Sequence, residues 1–362
     1  MEIVSLFAGA GGLDLGFKRA GFRVAWANEF DKHICPTFAR NFPDVALDSR
    51  SIAKIPSEEI PACDGVIGGP PCQSWSRSGS RRGIKDGRGQ LFYEYIRVLR
   101  DKRPLFFLAE NVGGILHQRH AGAWEKILET FREAGYTVRF KLLNANDFGI
   151  PQERLRVFII GYRSDLRMRF EFPQPPEDQP KRTLREAIGD LVHSAEPALA
   201  NNLSLGDELP VPNHEFWNGG FSSIFMSRNR VRGWDEPGFT VQATGRQAQL
   251  HPQAPKMPRI GKDEHEFVAA HRHLYRRLTI RECARLQTFP DDFVFVYRRL
   301  EHGYRMVGNA VPPLLGEVLA KVIFQNLIAH RMGRRTCQEH FGKDPGSVQM
   351  ELAYGDPKSS AP

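Results

Sequence analysis

The chain is sparing with cysteine: five in 362 residues, and none of Cys35, Cys63, Cys72, Cys283 and Cys337 forms a C-x-x-C pair. Neither a zinc ribbon nor a disulfide framework is indicated, and a reducing compartment fits best. His265, His271 and His273 have no cysteine or paired acid at ligand spacing, so no metal site is expected. Apolar runs such as Leu105-Phe106-Phe107-Leu108-Ala109 are too short to span a bilayer, so no membrane association is expected. The amino terminus runs into a strand pattern without a basic n-region or cleavage site, so no secretory leader is expected. No internal repeat is visible.

What is present is ordinary in bulk and unusual in places. Hydrophobic residues make up 41% of the chain and charged residues 25%, as in soluble globular proteins. The length allows one large domain and a smaller one. A net charge of +8 and a pI near 9.3 favour a polyanionic partner, a weak signal alone. The unusual stretch is Gly68-Gly69-Pro70-Pro71-Cys72-Gln73-Ser74-Trp75-Ser76. A buried strand, Val66-Ile67, ends there; the glycines permit a turn and the prolines stiffen the residues after it. Most lone cysteines are small buried hydrophobes. One presented by so rigid a loop suits a nucleophile, whose sulfur must hold a fixed angle to its target.

In chain order, Ile3–Phe7 reads as a buried strand, followed by Ala8-Gly9-Ala10-Gly11-Gly12 and a helix bearing Leu13, Leu15, Phe17 and Ala20. Strand, glycine turn, helix opens a nucleotide-binding α/β fold, although a tight turn in any α/β domain reads the same way. A second strand, residues 22–27, ends at Asn28-Glu29. Glu29 stands twenty residues beyond Gly9, where such folds place a ribose-binding acid. The turn lacks the third glycine of G-x-G-x-x-G, which favours an adenosyl ligand over a pyrophosphate cofactor. Residues 91–99 have helical amphipathic spacing, and residues 104–109 form a strand ending at Glu110-Asn111-Val112. The apolar run before Glu110 would bury that carboxyl and raise its pKa; otherwise it is a surface acid. A helix is expected over 124–134 and strands over 137–142 and 157–161. Arg154 and Arg156 flank Leu155 and would share a face, as a solvated edge or as the lining of an anion or base pocket. After Phe172, four prolines mark a linker. Residues 181–300 are irregular and arginine-rich, with Arg228, Arg230 and Arg232 at alternate positions in an extended register. Thr279 and Glu282 form an N-cap and capping box. Gly308–Pro313 reads as a second rigid loop, residues 314–330 as a closing helix, and the remainder as a flexible tail.

In this order the motifs resemble those of the cytosine-C5 DNA methyltransferases, over residues 1–325. Phe7-Ala8-Gly9-Ala10-Gly11-Gly12 is similar to their first cofactor motif and Asn28-Glu29 to the second. Gly69-Pro70-Pro71-Cys72-Gln73 is similar to the nucleophile loop, Glu110-Asn111-Val112 to the acid motif, and Gln152-x-Arg154-x-Arg156 to the arginine motif. Residues 277–290 resemble the segment that closes the recognition domain, and Gly308-Asn309-Ala310-Val311-Pro312 the last motif. One departure stands out: where the family carries an adenine-binding aspartate, this chain has Ser51, so adenine contact would pass to a hydroxyl, the backbone or Asp48.

The resemblance implies an α/β fold, a doubly wound, mostly parallel Rossmann-like sheet with a smaller, irregular recognition domain. Its expected parts are 1–175 catalytic, 181–300 recognition, 301–330 catalytic again and 331–362 tail. It implies S-adenosylmethionine as methyl donor, held by Phe7, Ala8, Gly9, Gly11, Gly12, Leu13, Asn28, Glu29, Pro70, Asn309 and Ala310. Cys72 would add to C6 of a flipped cytosine, Glu110 would protonate N3, Arg156 would hold O2 and Arg154 would support that geometry. Residues 213–256, with Asn213-His214-Glu215, resemble the recognition regions of HaeIII-type methylases. This implies double-stranded DNA as partner, GGCC as site, and Arg228, Arg230 and Arg246 as guanine contacts. A monomer in the bacterial cytoplasm, sharing its site with a cognate restriction endonuclease, completes the expectation.

Overall fold

The structure, a computed structural model, describes residues 1–71, 87–176, 180–206 and 209–333. Cys72 lies outside the described residues. The chain forms two compact units, Met1–Phe324 and Gln325–Pro362.

The first unit is organised by a seven-stranded sheet of β1 (Glu2–Leu6), β2 (Arg23–Asn28), β3 (Ala46–Asp48), β4 (Gly65–Gly68), β5 (Phe106–Val112), β6 (Tyr136–Asn144) and β7 (Leu155–Arg163), in the order β3-β2-β1-β4-β5-β7-β6. The pairs from β3 to β5 are parallel, and β7 runs antiparallel between β5 and β6. β4 is buried along its whole length and β1 along all but its first residue, because helices cover both faces. The strand order reverses between β1 and β4, which opens a crevice beyond their carboxyl ends.

The helices are α1 (Gly12–Arg19), α2 (Cys35–Asn41), α3 (Gly87–Lys102), α4 (Ala121–Glu133), α5 (Leu184–Ile188), α6 (Ser223–Met226), α7 (Ile280–Leu286), α8 (Leu300–Asn309) and α9 (Pro313–Arg331). One apolar cluster joins Val4, Val66 and Phe107 to Phe92, Tyr95, Trp124 and Phe131. A second joins Phe38 and Phe42 to Leu278, Ile280, Phe289, Phe293 and Tyr304, so the region after 181 is built onto the sheet domain. A third, small cluster of Phe225, Val231, Leu250, Met257 and Tyr275 supports the arginine-rich segment.

Three local expectations change. β5 runs on through Glu110 to Val112, so the acid sits within the strand. Gly308 and Asn309 form the last residues of α8, and the rigid turn is confined to residues 310–312. The alternate arginines of 228–232 do not lie in a strand; Val231 makes a single bridge to Leu250. One stretch, Leu300–Arg331, is long and apolar enough to cross a membrane by length and composition, unlike the short apolar runs of the strands. It is broken between α8 and α9, and 61% of its most apolar window is buried inside the protein, as in a core helix.

α1 and the start of α9 meet at Gly16, where a Cβ would stand 2.5 Å from the Pro313 carbonyl and 2.6 Å from the Glu317 nitrogen. Both are backbone atoms and cannot turn aside. Gly16→Ala is expected to cost about 1–3 kcal/mol of unfolding free energy in urea titrations. A cost below about 0.5 kcal/mol would refute so close an approach.

Candidate active site

The site grows from the carboxyl ends of β1, β2, β4 and β5. After β1 the chain turns sharply, with Phe7, Gly9 and Gly11 at φ of 55°, 58° and 89°. Gly11 then starts α1 without a side-chain cap, leaving first-turn N–H groups open to a ligand. Glu29, at the end of β2, accepts from the Gly9 N–H at 2.9 Å and from the Asp31 N–H at 2.9 Å. These bonds splint the turn against β2. Burial raises the Glu29 pKa against the pull of the two N–H donors. Asn28 is buried, and its amide donates to the Asp48 and Arg50 carbonyls, so it locks β2 to the end of β3.

Beside this turn lies a cleft of about 390 Å³ lined by Phe30, Lys32, Cys35, Pro36, Ala39, Leu47 and Ser49. Phe30, 60% exposed, contributes an aromatic ring to its lining. Sequence reasoning missed Phe30, although an aromatic directly after Asn28-Glu29 was a usable signal. Asp48 is held by Arg50, which keeps its carboxyl below the usual range. Ser49 lines the cleft, whereas Asp48 and Ser51 do not. An aromatic-walled apolar cleft, a carboxylate and a turn with free N–H groups fit an adenosyl ligand.

Glu110 and Arg156 pair at 2.9 Å, Nε to Oε1, with side chains 12% and 13% exposed. Burial raises the Glu110 pKa, while the guanidinium groups of Arg156 and Arg154 pull it back. The loop after β4 passes over this carboxylate: a Cβ on Gly69 would lie 3.3 Å from Glu110 Oε2. Asn111 anchors the same loop by donating to the Pro70 carbonyl at 2.9 Å. Cys72 follows Pro70 by two residues.

Arg154 and Arg156 share a face, opposite the half-exposed Leu155, yet their tasks differ. Arg154 is fully buried and donates to the carbonyls of Gly308 (2.8 Å), Ala310 (2.9 Å) and Val241 (3.3 Å). These acceptors include the carboxyl end of α8, whose dipole favours a cation. Gln152 donates to Leu286 O and to Gln287 Oε1, and accepts from the Val241 N–H. Gln287 donates onward to Val307 O and Ala310 O. The turn after α8 abuts α1, since a Cβ on Gly12 would lie 2.4 Å from Val311 O and 3.3 Å from the Ala310 Cβ. Asn309 and Ala310 are thereby brought to the first loop. The two glutamines were visible as motif letters, but nothing local in the sequence showed that they bond each other.

The structure separates the three recognition arginines. Arg228 and Arg246 are exposed. Arg230 is 5% exposed and turns inward; it donates to Phe225 O, Ile224 O and Gln247 Oε1, with its guanidinium 4.7 Å from the Phe225 ring centre. Its Nε and Nη2 are spent on these acceptors and tie the loops around Phe225 and Gln247 together. Asn213, His214 and Glu215 also point inward, to Phe295, to Thr279 and Leu191, and to Ser204 and Tyr297. Among the described residues no group of three or more His, Cys, Asp or Glu could hold a metal ion.

Asp14, unremarked in the sequence, is fully buried in the first turn of α1. Burial pushes its carboxyl up to about 7, against a weaker pull from Ser5. The unfolded chain would release this proton near 3.8, the folded chain near 7. Stability therefore falls as pH rises through that window and levels off above it. Asp14→Asn is expected to gain on the wild type between pH 4 and 7, by about 1.4 kcal/mol for each pH unit between the two values. Parallel stability curves for the two proteins would refute it.

The comparisons with known proteins agree with this geometry. A family model described as C-5 cytosine-specific DNA methylase matches residues 1–325. The Type II methyltransferase M.FnuDI of Fusobacterium nucleatum is 55% identical over 328 residues, covering 90% of this chain and 95% of the relative. The Type II methyltransferase M.NgoPII of Neisseria gonorrhoeae is 52% identical over 330 residues, covering 90% and 96%. Among solved structures, a DNA modification methyltransferase encoded within an E. coli prophage superposes with a TM-score of 0.68 at 25% identity, covering 91% of this chain and 99% of that one. With its family model spanning the sheet, the acid–arginine pair and the segment between them and α9, the chain belongs to the C-5 cytosine-specific DNA methylases.

Proposed function

We propose that this methylase is the modification enzyme of a type II restriction–modification system, acting on C5 of a cytosine flipped out of a GGCC site in duplex DNA. The chemistry rests on one observation: the buried Glu110–Arg156 pair lies under the loop that leads through Pro70 to Cys72. S-adenosylmethionine, when bound, supplies an electrophilic methyl group to C5. The loop from Phe7 to Leu13, Glu29, Phe30 and the turn at Asn309-Ala310 are the residues proposed to hold it.

The chain's own residues prepare the base. The Cys72 thiolate bonds to C6 and turns the ring into an enamine, nucleophilic at C5. Negative charge then develops toward N3 and O2. Glu110, kept protonated by burial to a higher pH than an ordinary glutamate, donates at N3. Arg156 holds O2 and keeps the carboxyl oriented, and Arg154 keeps β7 in place against α8. After transfer a base, water in the closed site, takes the C5 proton, the N3 proton returns to Glu110, and Cys72 leaves as the thiolate. The products are 5-methylcytosine and S-adenosylhomocysteine.

Site choice is proposed to lie in 181–300, with 1–175 and 301–330 as the catalytic part. Exposed Arg228 and Arg246 are the guanine readers, and Arg230 acts by holding the loops that present them. Ile224, 71% exposed and four residues before Arg228, is proposed as the apolar side chain that fills the space left by the flipped base. GGCC rests on the resemblance of residues 213–256. The protein is read as a cytoplasmic monomer whose cognate endonuclease acts on the same site without needing to bind it.

Bisulfite sequencing of DNA from a host expressing the gene is expected to show 5-methylcytosine confined to GGCC. Methylation at another motif overturns the site alone; none at all overturns the activity. Glu110→Gln is expected to lower kcat by about 10²–10⁴-fold while duplex binding persists. Methyl transfer surviving Cys72→Ser removes that residue from the nucleophile role. Arg228→Ala or Arg246→Ala is expected to lose about 1–3 kcal/mol of discrimination at one base pair, measured by competition between matched and singly altered duplexes.

A further inference from the structure

Two arginines beneath the recognition segment are buried without a carboxylate. Arg277 is 2% exposed; Nη1 donates to Gly219 O and Nη2 to Gly220 O, each at 2.9 Å, and Nε has no acceptor. Its guanidinium lies 4.2 Å from the Phe221 ring centre and 5.1 Å from that of Phe225, the ring that Arg230 also covers. Burial lowers both arginines to about 10, and no carboxylate offsets it for either. Contrast Arg276, bound at two points by Glu282, and Arg154, which faces Glu110. Carbonyls and ring faces offset part of the cost of an unpaired buried cation, and an external anion would offset more.

The Arg277 bonds also orient the chain above. With the Gly219 carbonyl aimed at Arg277, the N–H of Gly220, in the same planar peptide, is directed the opposite way. The Gly220 carbonyl sets the Phe221 N–H likewise. Neither N–H has an acceptor among the described residues. Gly219, Gly220, Ser222 and Ser223 are exposed, and a Cβ on Gly220 would meet nothing within 4 Å. Adjacent outward N–H groups backed by a buried cation make an anion seat.

We propose that the turn from Asn218 to Ser223 seats one phosphodiester of the DNA backbone on the Gly220 and Phe221 N–H groups, with Arg277 as the positioning residue behind it. Ile224 follows this turn directly and Arg228 comes four residues later, so the seated phosphate adds affinity beside them without itself reading sequence. The proposal rests on the DNA methylase reading and specifies where that enzyme grips its substrate.

The test is the salt dependence of duplex binding by the full-length wild type, Gly220→Ala, Gly220→Pro and Arg277→Gln. Gly220→Ala keeps the N–H and has room, so it is expected to bind as the wild type does. Gly220→Pro removes the N–H and is expected to bind roughly tenfold more weakly, with a slope of log affinity on log salt shallower by about 0.9 and unchanged site preference. Arg277→Gln should shift the same slope while S-adenosylmethionine affinity holds. A neutral methylphosphonate scanned along the duplex should find one position that weakens the wild type and leaves Gly220→Pro unaffected. Equal weakening by Ala and Pro at Gly220, an unchanged slope, or no such position overturns the seat. A wild type that methylates no DNA would overturn the activity instead, and bisulfite sequencing reports that separately.

Discussion

The structure turns on a buried cation placed at the carboxyl end of a helix. Arg154 reaches from the start of β7 to the last carbonyls of α8, and Gln152 and Gln287 complete the same junction. Four stretches far apart in sequence meet there: the arginine motif, Val241, the end of α7 and the turn after α8. Every partner is backbone or amide, so the junction has one geometry and little freedom to shift. Arg154 Nε has no acceptor among the described residues, but the paired members of such a buried network rigidify and specify in this way.

The catalytic pair depends on that rigidity. Arg156 lies two residues from Arg154, so fixing Arg154 aims its neighbour at Glu110. The same junction presses the turn after α8 against α1, where the turn after β1 ends. Glu110, the turn after β1 and the loop after β4 are thus referenced to one frame. Glu110 is balanced inside it: burial drives its pKa up, two guanidinium groups draw it down, and burial prevails. Such a carboxyl holds its proton to a higher pH than an ordinary glutamate.

The recognition segment uses arginine differently. Arg228 and Arg246 are exposed, whereas Arg230 and Arg277 bond carbonyls and stack on Phe225. They replace the secondary structure that this segment largely lacks, tying loops to one another by planar, multidentate donors. Residue type alone does not distinguish these roles, because each arginine carries the same charge and fork.

Much of the fold could be read from the chain by itself. Apolar runs ending in glycine or acid located β1, β2, β4 and β5, and the capping box located α7, since these are local patterns of period, turn and cap. The order of motifs was enough to name the chemistry, because nucleophile, acid and arginines keep fixed neighbours along the chain. Tertiary structure decided the rest: that Phe30 and Ser49 line the cleft, that Asp14 is buried, that Arg154 and Arg156 divide their work, and that Arg230 faces inward while Arg228 does not. Each of these depends on which distant segment packs against the residue. Burial and hydrogen-bond partners come from contacts across the fold, and alternation along a chain predicts a face only where a regular strand enforces it.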